Sequence, residues 1–344
     1  MALPLTRQLR TDGDLRRWFE ARFRHLDAVA HDVPPRLRCL VRRRTADGIP
    51  PWLMGMAFDW RLRLGLEVPA DPWTTTAFAG WMLAFGDGLD GALHQQPLDD
   101  PVTALLDHAH THGAGGGAAT DRDEFELARI SVALALYESW YRGGVRPGDP
   151  LHRLGPVPDI ADLTTLCPPA AAEEMTHLVG VARRGLAPLF PASSIETNPV
   201  LDAHGIPADG DLILDGLLLD LKTVTRPQLQ LDWLWQMIGY VLLDGGRRQL
   251  HSVGIYLSRH GWLHRWSLPD LLSRLAGKPV KVHEARQDFL SSVCAGDVDL
   301  DRAAESAAAT WDAAPTAPWV APVSRNWPSH NGLSSGLSPM RRPD

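Results

Sequence analysis

The chain has 344 residues, 44% of them hydrophobic, and a net charge of −7. That length allows two domains and a tail, and the acidic balance does not suggest a general nucleic-acid coat. No apolar run approaches the length needed to span a bilayer, and the three cysteines (Cys39, Cys167, Cys294) are too scattered for a disulfide framework or a structural zinc site.

The first residues contain no apolar segment of the secretory type, so a cytoplasmic location is expected. Charge is uneven: residues 1–64 carry 13 Arg against 7 Asp and Glu. Residues 14–30 have the period of an amphipathic helix, with Leu15, Trp18, Phe19, Phe23, Leu26 and Val29 on one side and Arg16, Arg17, Arg22 and Arg24 mostly off it. Arg36, Arg38, Arg42, Arg43 and Arg44 follow. Such a basic lobe has two readings, a solvated face or a track for a phosphate backbone.

Residues 50–112 read as helices broken by Pro50-Pro51, Pro69 and Pro72, with 77–85 as a buried helix. His108, His110 and His112 then precede a Gly-rich run at 113–117, a pattern that reads as a helix end fraying into a loop rather than a metal site. Residues 120–141 form the clearest helix of this half. Thr120 can cap it, Asp121, Asp123 and Glu124 complement its dipole, and Gly143-Gly144 stop it. The Pro- and Gly-rich stretch 144–158 marks the expected boundary between a mostly helical region, 1–150, and an α/β domain, 158–295.

In that second domain a helix is expected over 169–190, with Met175, Leu178, Val179, Ala182 and Leu186 inward and Glu173 and Glu174 near its start. Residues 194–201 read as a strand carrying Glu196. Two apolar runs, 212–214 and 217–219, flank Asp215-Gly216, the dipeptide best suited to a two-residue hairpin turn. A turn there sets Leu214 opposite Leu217, and therefore Asp211 opposite Asp220 on the same face of the sheet. Asp220 and Lys222, two apart on one strand, share that face too. Two facing carboxylates repel, and a divalent cation accounts for such a pair.

Residues 228–243 then read as a helix apolar nearly all round, with Asp232, Gln236 and Tyr240 spaced along one face. Val253, Ile255 and Leu257 alternate as a strand, His260-Gly261 turn it, 262–268 return, and 269–275 and 284–293 close the domain as helices. From 301 to 344 the chain is rich in Ala, Pro and Ser and reads as a disordered tail, with Trp311, Trp319 and Trp327 at a spacing of eight.

Asp-x8-Asp-x-Lys across a hairpin, followed by Gln-x-x-x-Tyr on the next helix, resembles the PD-(D/E)XK nuclease superfamily, in its RecB-type branch, over about residues 165–292. Lysine usage sharpens the likeness. Lys222 is one of only three lysines among 34 Lys and Arg, so a position that keeps Lys is one where a compact ammonium differs from a guanidinium. No Pro directly precedes the first Asp, and the run Pro207-Ala208-Asp209-Gly210-Asp211 offers two acids. Register favours Asp211, with Asp209 as the alternative.

The resemblance implies a restriction-endonuclease-like core, a small mixed sheet flanked by helices. It implies metal-dependent hydrolysis of phosphodiester bonds in DNA, ahead of RNA, in repair or in defence against foreign DNA. It also implies Mg²⁺ or Mn²⁺ held by Asp211, Asp220, the Leu221 carbonyl and an upstream acid (Glu174, with Glu173 and Glu196 as alternatives), and catalysis by Asp211, Asp220, Lys222, Gln236 and Tyr240. Two other expectations stand beside it. The domain could keep the fold and bind nucleic acid or a partner without cutting, and a protein partner could dock on the N-terminal region or the tail.

Overall fold

The computed structural model describes residues 4–43, 48–86, 100–116, 120–145, 148–201 and 205–293. The tail with its tryptophans, and Cys294, lie outside the described residues. Thirteen α-helices run in chain order among the described residues: α1 (Leu5–Gln8), α2 (Asp14–Arg22), α3 (Asp27–Ala30), α4 (Pro51–Leu66), α5 (Thr76–Phe85), α6 (Pro101–Thr111), α7 (Asp121–Gly143), α8 (Pro150–Arg153), α9 (Ile160–Thr165), α10 (Pro169–Gly185), α11 (Leu231–Asp244), α12 (Leu268–Ala276) and α13 (Val282–Val293). The strands are β1 (Ile195–Thr197), β2 (Leu212–Leu214), β3 (Leu217–Lys222), β4 (Ser252–Leu257) and β5 (Trp262–Ser267). They form one mixed sheet in the order β1-β2-β3-β4-β5. Only β3 and β4 are parallel, joined through α11.

The hairpin forms at the expected register, Leu214 with Leu217 and Leu212 with Leu219. Asp215 and Gly216 both take positive φ, 45° and 78°, as a two-residue turn of this hand requires. The Asp215 carboxylate also accepts from the backbone N–H groups of Ser193 and Ser194, which ties the turn to the chain entering β1.

The sheet is covered on both faces, and its alternation of side chains sorts the core into two layers. Leu212, Leu214, Leu217, Leu219 and Tyr256 join an apolar cluster with α4, α7 and α10. Ile213, Leu218, Val253, Ile255 and Leu257 join another with α11, α12, α13 and residues 5–33. The packing therefore cuts across the boundary expected at 144–158. The first helices belong to the layer that covers one sheet face, and α7 packs directly against α10 as well as α4 and α5.

Several local expectations are revised. The helix expected over 14–30 is two, because the chain turns at Phe23 (φ −130°, ψ 61°) and the His25 N–H donates to Leu275 O at 3.0 Å. Phe23 stays buried and Trp235 Nε1 donates to its carbonyl, so a tertiary contact replaces the next helical turn. Helix α11 starts at Leu231, leaving Pro227 outside it, and α10 ends at Gly185. Helix α5 buries Ala77 and Trp81 but exposes Leu83, so it is covered on one side only.

The histidine run lies at a helix end that leads into a Gly-rich turn, as expected, but that end is held in place. His108 and His110 lie inside α6, and His112 follows it, 2.8 Å from Asp123 of α7. His108 Nε2 lies 3.5 Å from Glu126. Gly115, in the run that follows, donates to Leu64 O. Helix α7 matches expectation: Thr120 and Asp123 form a reciprocal capping box, and Gly144 ends the helix at φ 76°. No described helix is long and apolar enough to cross a membrane.

Candidate active site

The site lies where β3 ends and β2 begins, which in this antiparallel pair is one end of the sheet. Asp220 and Lys222 project from β3 toward α11, on the same face as Leu218. Lys222 Nζ donates to Asp220 Oδ1 at 3.0 Å and to Gln236 Oε1 at 3.3 Å. Asp220 Oδ2 is also 2.7 Å from Nζ as an ion pair, but in no hydrogen-bond geometry, and it is buried with no other partner. Gln236 Nε2 donates to the Tyr240 hydroxyl at 2.7 Å. The spacing on α11 thus brings Gln236 and Tyr240 into one hydrogen-bonded chain with Lys222, while Asp232 points outward, 3.9 Å from Arg16. Trp233 adds a face to the cation, with Nζ 5.7 Å from its ring centre.

Asp211 sits just before β2 and accepts the Leu221 N–H at 2.6 Å. This holds the carboxylate beside the end of β3, near enough for its charge to act on Asp220. Leu221 takes part here through its N–H. Asp209 is engaged elsewhere, in an ion pair with Arg142 of α7. Burial pushes the Asp220 carboxyl up to about 6, with the Lys222 charge opposing and the Asp211 charge adding to the rise. Burial raises Asp211 as well, against the pull of Lys222 and the Leu221 N–H. The Tyr240 hydroxyl is held well above its ordinary value by burial and by Asp209, Asp220 and Asp211, so it stays protonated.

Two of the upstream acids expected for this site form ion pairs with arginines of other elements, and the third is exposed. Glu174 is buried against Arg259 and Glu196 pairs with Arg248, while Glu173 is exposed. Asp59, on α4, lies within electrostatic reach of Asp211. Burial raises Asp59 to about 8, with the Arg63 charge opposing and those of Asp211 and Glu138 adding to the rise. Its Oδ2 pairs with Arg63, and its Oδ1 is buried with no hydrogen-bond partner. Around it, Glu138 of α7 accepts from Trp60 Nε1 and Arg142 Nε, both at 2.6 Å. Gly55 of α4 lies beside the residue that follows β3: a Cβ there would lie 3.9 Å from Thr223 Cβ, an ordinary contact.

Asp59, Arg63, Glu138 and Arg142 were not anticipated. The available signal was Asp59 and Arg63 standing among apolar residues in a helix otherwise suited to full burial. Their grouping depends on how α4 packs against β3 and α7, which no local pattern encodes.

The residues fit a divalent cation. Asp211 acts on the charges of both Asp220 and Asp59, all three carboxyls have raised pKa values, and Asp59 and Asp220 each have a buried oxygen without a hydrogen bond. Hard oxygen donors of this kind suit Mg²⁺ or Mn²⁺. Asp211, Lys222 and Gln236 remain only half-buried, so the site is open to solvent. Searches of family models, of curated proteins and of solved structures return no match to this chain.

Proposed function

We propose that this protein is a metal-dependent nuclease of the restriction-endonuclease-like kind, cutting phosphodiester bonds of DNA in repair or in defence. One observation carries the reading. Asp211, Asp220, Lys222, Gln236 and Tyr240, spread over a hairpin and the next helix, meet in a single site at one sheet end. The hairpin, the helix after it and the closing strand expected from the resemblance are all present in that order.

Asp211 and Asp220 would hold Mg²⁺ or Mn²⁺, with the Leu221 carbonyl as a further donor and Asp59 in the place expected of Glu174. The bound cation supplies Lewis-acid polarisation of the phosphoryl group and a lowered pKa for a water. The chain's own residues do the rest. The Leu221 N–H and the hairpin register fix the Asp211 carboxylate before any ligand arrives. Lys222 holds an ammonium at the mouth of the carboxylate pair, where it can orient a nucleophilic water or meet charge developing on phosphate oxygens. Gln236 accepts from Lys222 and so sets where that ammonium points. Tyr240, kept protonated, anchors Gln236 in turn.

The test is incubation of purified protein with linear and circular, single- and double-stranded DNA in Mg²⁺, Mn²⁺ or chelator, beside Lys222→Ala. Metal-dependent cutting that is lost in the variant supports the proposal. No cutting in any metal overturns it and leaves a fold that binds nucleic acid or a partner.

A further inference from the structure

Two groups of arginines in the basic N-terminal segment have different fates. On α2, Arg16 pairs with Glu20, Arg17 with Asp12 and Asp14, and Arg22 with Asp288 of α13. That half is a set of ion-paired faces. Arg38, Arg42 and Arg43 are exposed, and no described carboxylate forms an ion pair with them. With His177 of α10 they line a pocket of about 640 Å³. Glu174 also lines it, but its charge is matched by the buried Arg259.

The loop that carries these arginines is pinned in place. Leu40 and Val41 donate their N–H groups to Arg259 O at 2.8 and 3.1 Å. His260 Nδ1 lies 3.1 Å from Arg38 O, and Arg259 donates from Nη1 to Val41 O at 3.3 Å. Residues 258–260 are the 3-10 turn that directly follows β4. On the sheet, Leu257 pairs with Lys222, and Ser258 Oγ donates to Thr223 Oγ1 at 2.9 Å. The anchoring therefore sets the arginine loop at the same sheet end as the candidate active site.

We propose that the loop 38–43, with His177, is a phosphate-backbone contact surface that leads a nucleic-acid strand to the Asp211–Asp220–Lys222 end of the sheet. The destination rests on the nuclease reading, whereas the contact with phosphates does not. Three guanidiniums line this pocket outside any described ion pair, and the Glu174 beside them is already matched by Arg259, so the pocket carries an excess of positive charge. A polyanion with regularly spaced phosphates offsets that excess and releases its own counterions. Guanidinium also matches phosphate geometry with paired N–H donors. Because the protein as a whole is acidic, the attraction is local and sets where the strand lies.

The experiment is fluorescence anisotropy of a short labelled DNA, single- and double-stranded, with the full chain in chelator across a salt series. Arg38→Gln/Arg42→Gln/Arg43→Gln is compared with wild type and Arg17→Gln, and circular dichroism checks each fold. The expected result is binding weakened at least about ten-fold in the triple variant, with the log–log salt slope reduced by about 0.9 for each duplex phosphate no longer neutralised. Arg17→Gln should bind as wild type does. Unchanged affinity and slope in the triple variant would overturn the proposal. So would binding to phosphatidylserine vesicles with none to DNA, which would assign the loop to a membrane surface. Binding weakened in the triple variant, in a protein that never cuts DNA, would keep the contact surface and remove the nuclease.

Discussion

The Nζ of Lys222 lies 2.7 Å from Oδ2 of Asp220, two residues back on the same strand. Asp220 is almost fully buried and Lys222 is not, so the ammonium closes a carboxylate pocket from its solvent side. Its second contact, to Gln236, comes from a helix that packs on the sheet. Lys222→Ala should reduce metal-dependent cleavage at least about 100-fold. Lys222→Arg should fail too, because the larger planar group displaces the Gln236 contact. Gel assays of both, with circular dichroism to show the fold is kept, check this.

Metal should stabilise the folded protein. A ligand that binds only the native state adds about 3 kcal/mol when present at about 100 times its Kd. Thermal unfolding in Mn²⁺ against chelator should show a rise of several degrees in wild type and none in Asp220→Ala. An equal rise in both would place the cation elsewhere.

Asp59 and Glu174 should respond in opposite ways. Asp59→Asn should weaken Mn²⁺ binding about ten-fold or more, since it removes a charge within electrostatic reach of Asp211. Glu174→Gln should leave Mn²⁺ affinity unchanged and cost about 3–5 kcal/mol of stability, because Arg259 is stranded in the interior. Calorimetric titration and thermal unfolding separate the two. Weakened metal binding in Glu174→Gln alone would return the upstream-acid role to α10.

Asp220, whose carboxyl burial raises to about 6, contributes its own share to the pH dependence of the metal-free protein. A raised acid keeps its proton in the native state after the unfolded chain has lost it. The unfolded state then binds fewer protons, and stability falls as pH rises from about 4 to about 6. Asp220→Asn cannot ionise. Its stability relative to wild type, measured in chelator, should therefore climb across that window by about 3 kcal/mol and level off above it. A difference that stays flat with pH would show that Asp220 ionises freely.

Helix α5 meets α7 so closely at Gly80 that a Cβ would lie 1.9 Å from Tyr137 O. Alanine improves helix propensity by about 1 kcal/mol. Here the clash with backbone outweighs it, and Gly80→Ala should destabilise by at least about 2 kcal/mol. Urea unfolding measures the sign directly. Because α7 and α4 carry Glu138 and Asp59, the variant should also weaken Mn²⁺ binding.

The part of the site that was legible in the sequence is the part made by neighbours in the chain. The hairpin was legible because Asp215-Gly216 can take positive φ at both positions, and the register of Asp211 against Asp220 follows from the turn alone. Gln236 and Tyr240 were legible because helical spacing puts them on one face. The break at Phe23 was not, since residues 14–30 keep their apolar period through it and Leu275 decides where the helix stops. The histidine run looked like a loose end for a related reason: its partners, Asp123 and Glu126, lie on the next helix.

Local periodicity and turn chemistry in the sequence by themselves determined the mixed α/β class, the hairpin, and the convergence of two carboxylates and an ammonium, because those depend on φ, ψ and side-chain period over a few residues. Only the tertiary structure decided which charges are spent and which are left. Glu174 is neutralised by an arginine 85 residues away, and the packing of α4 on β3 brings Asp59 within electrostatic reach of Asp211. Among the described residues, Arg38, Arg42 and Arg43 stay outside any ion pair while Arg16, Arg17 and Arg22 of α2 do not. Such pairings depend on which surfaces are pressed together and shut off from water, and a charge carries no mark of that in the residues beside it.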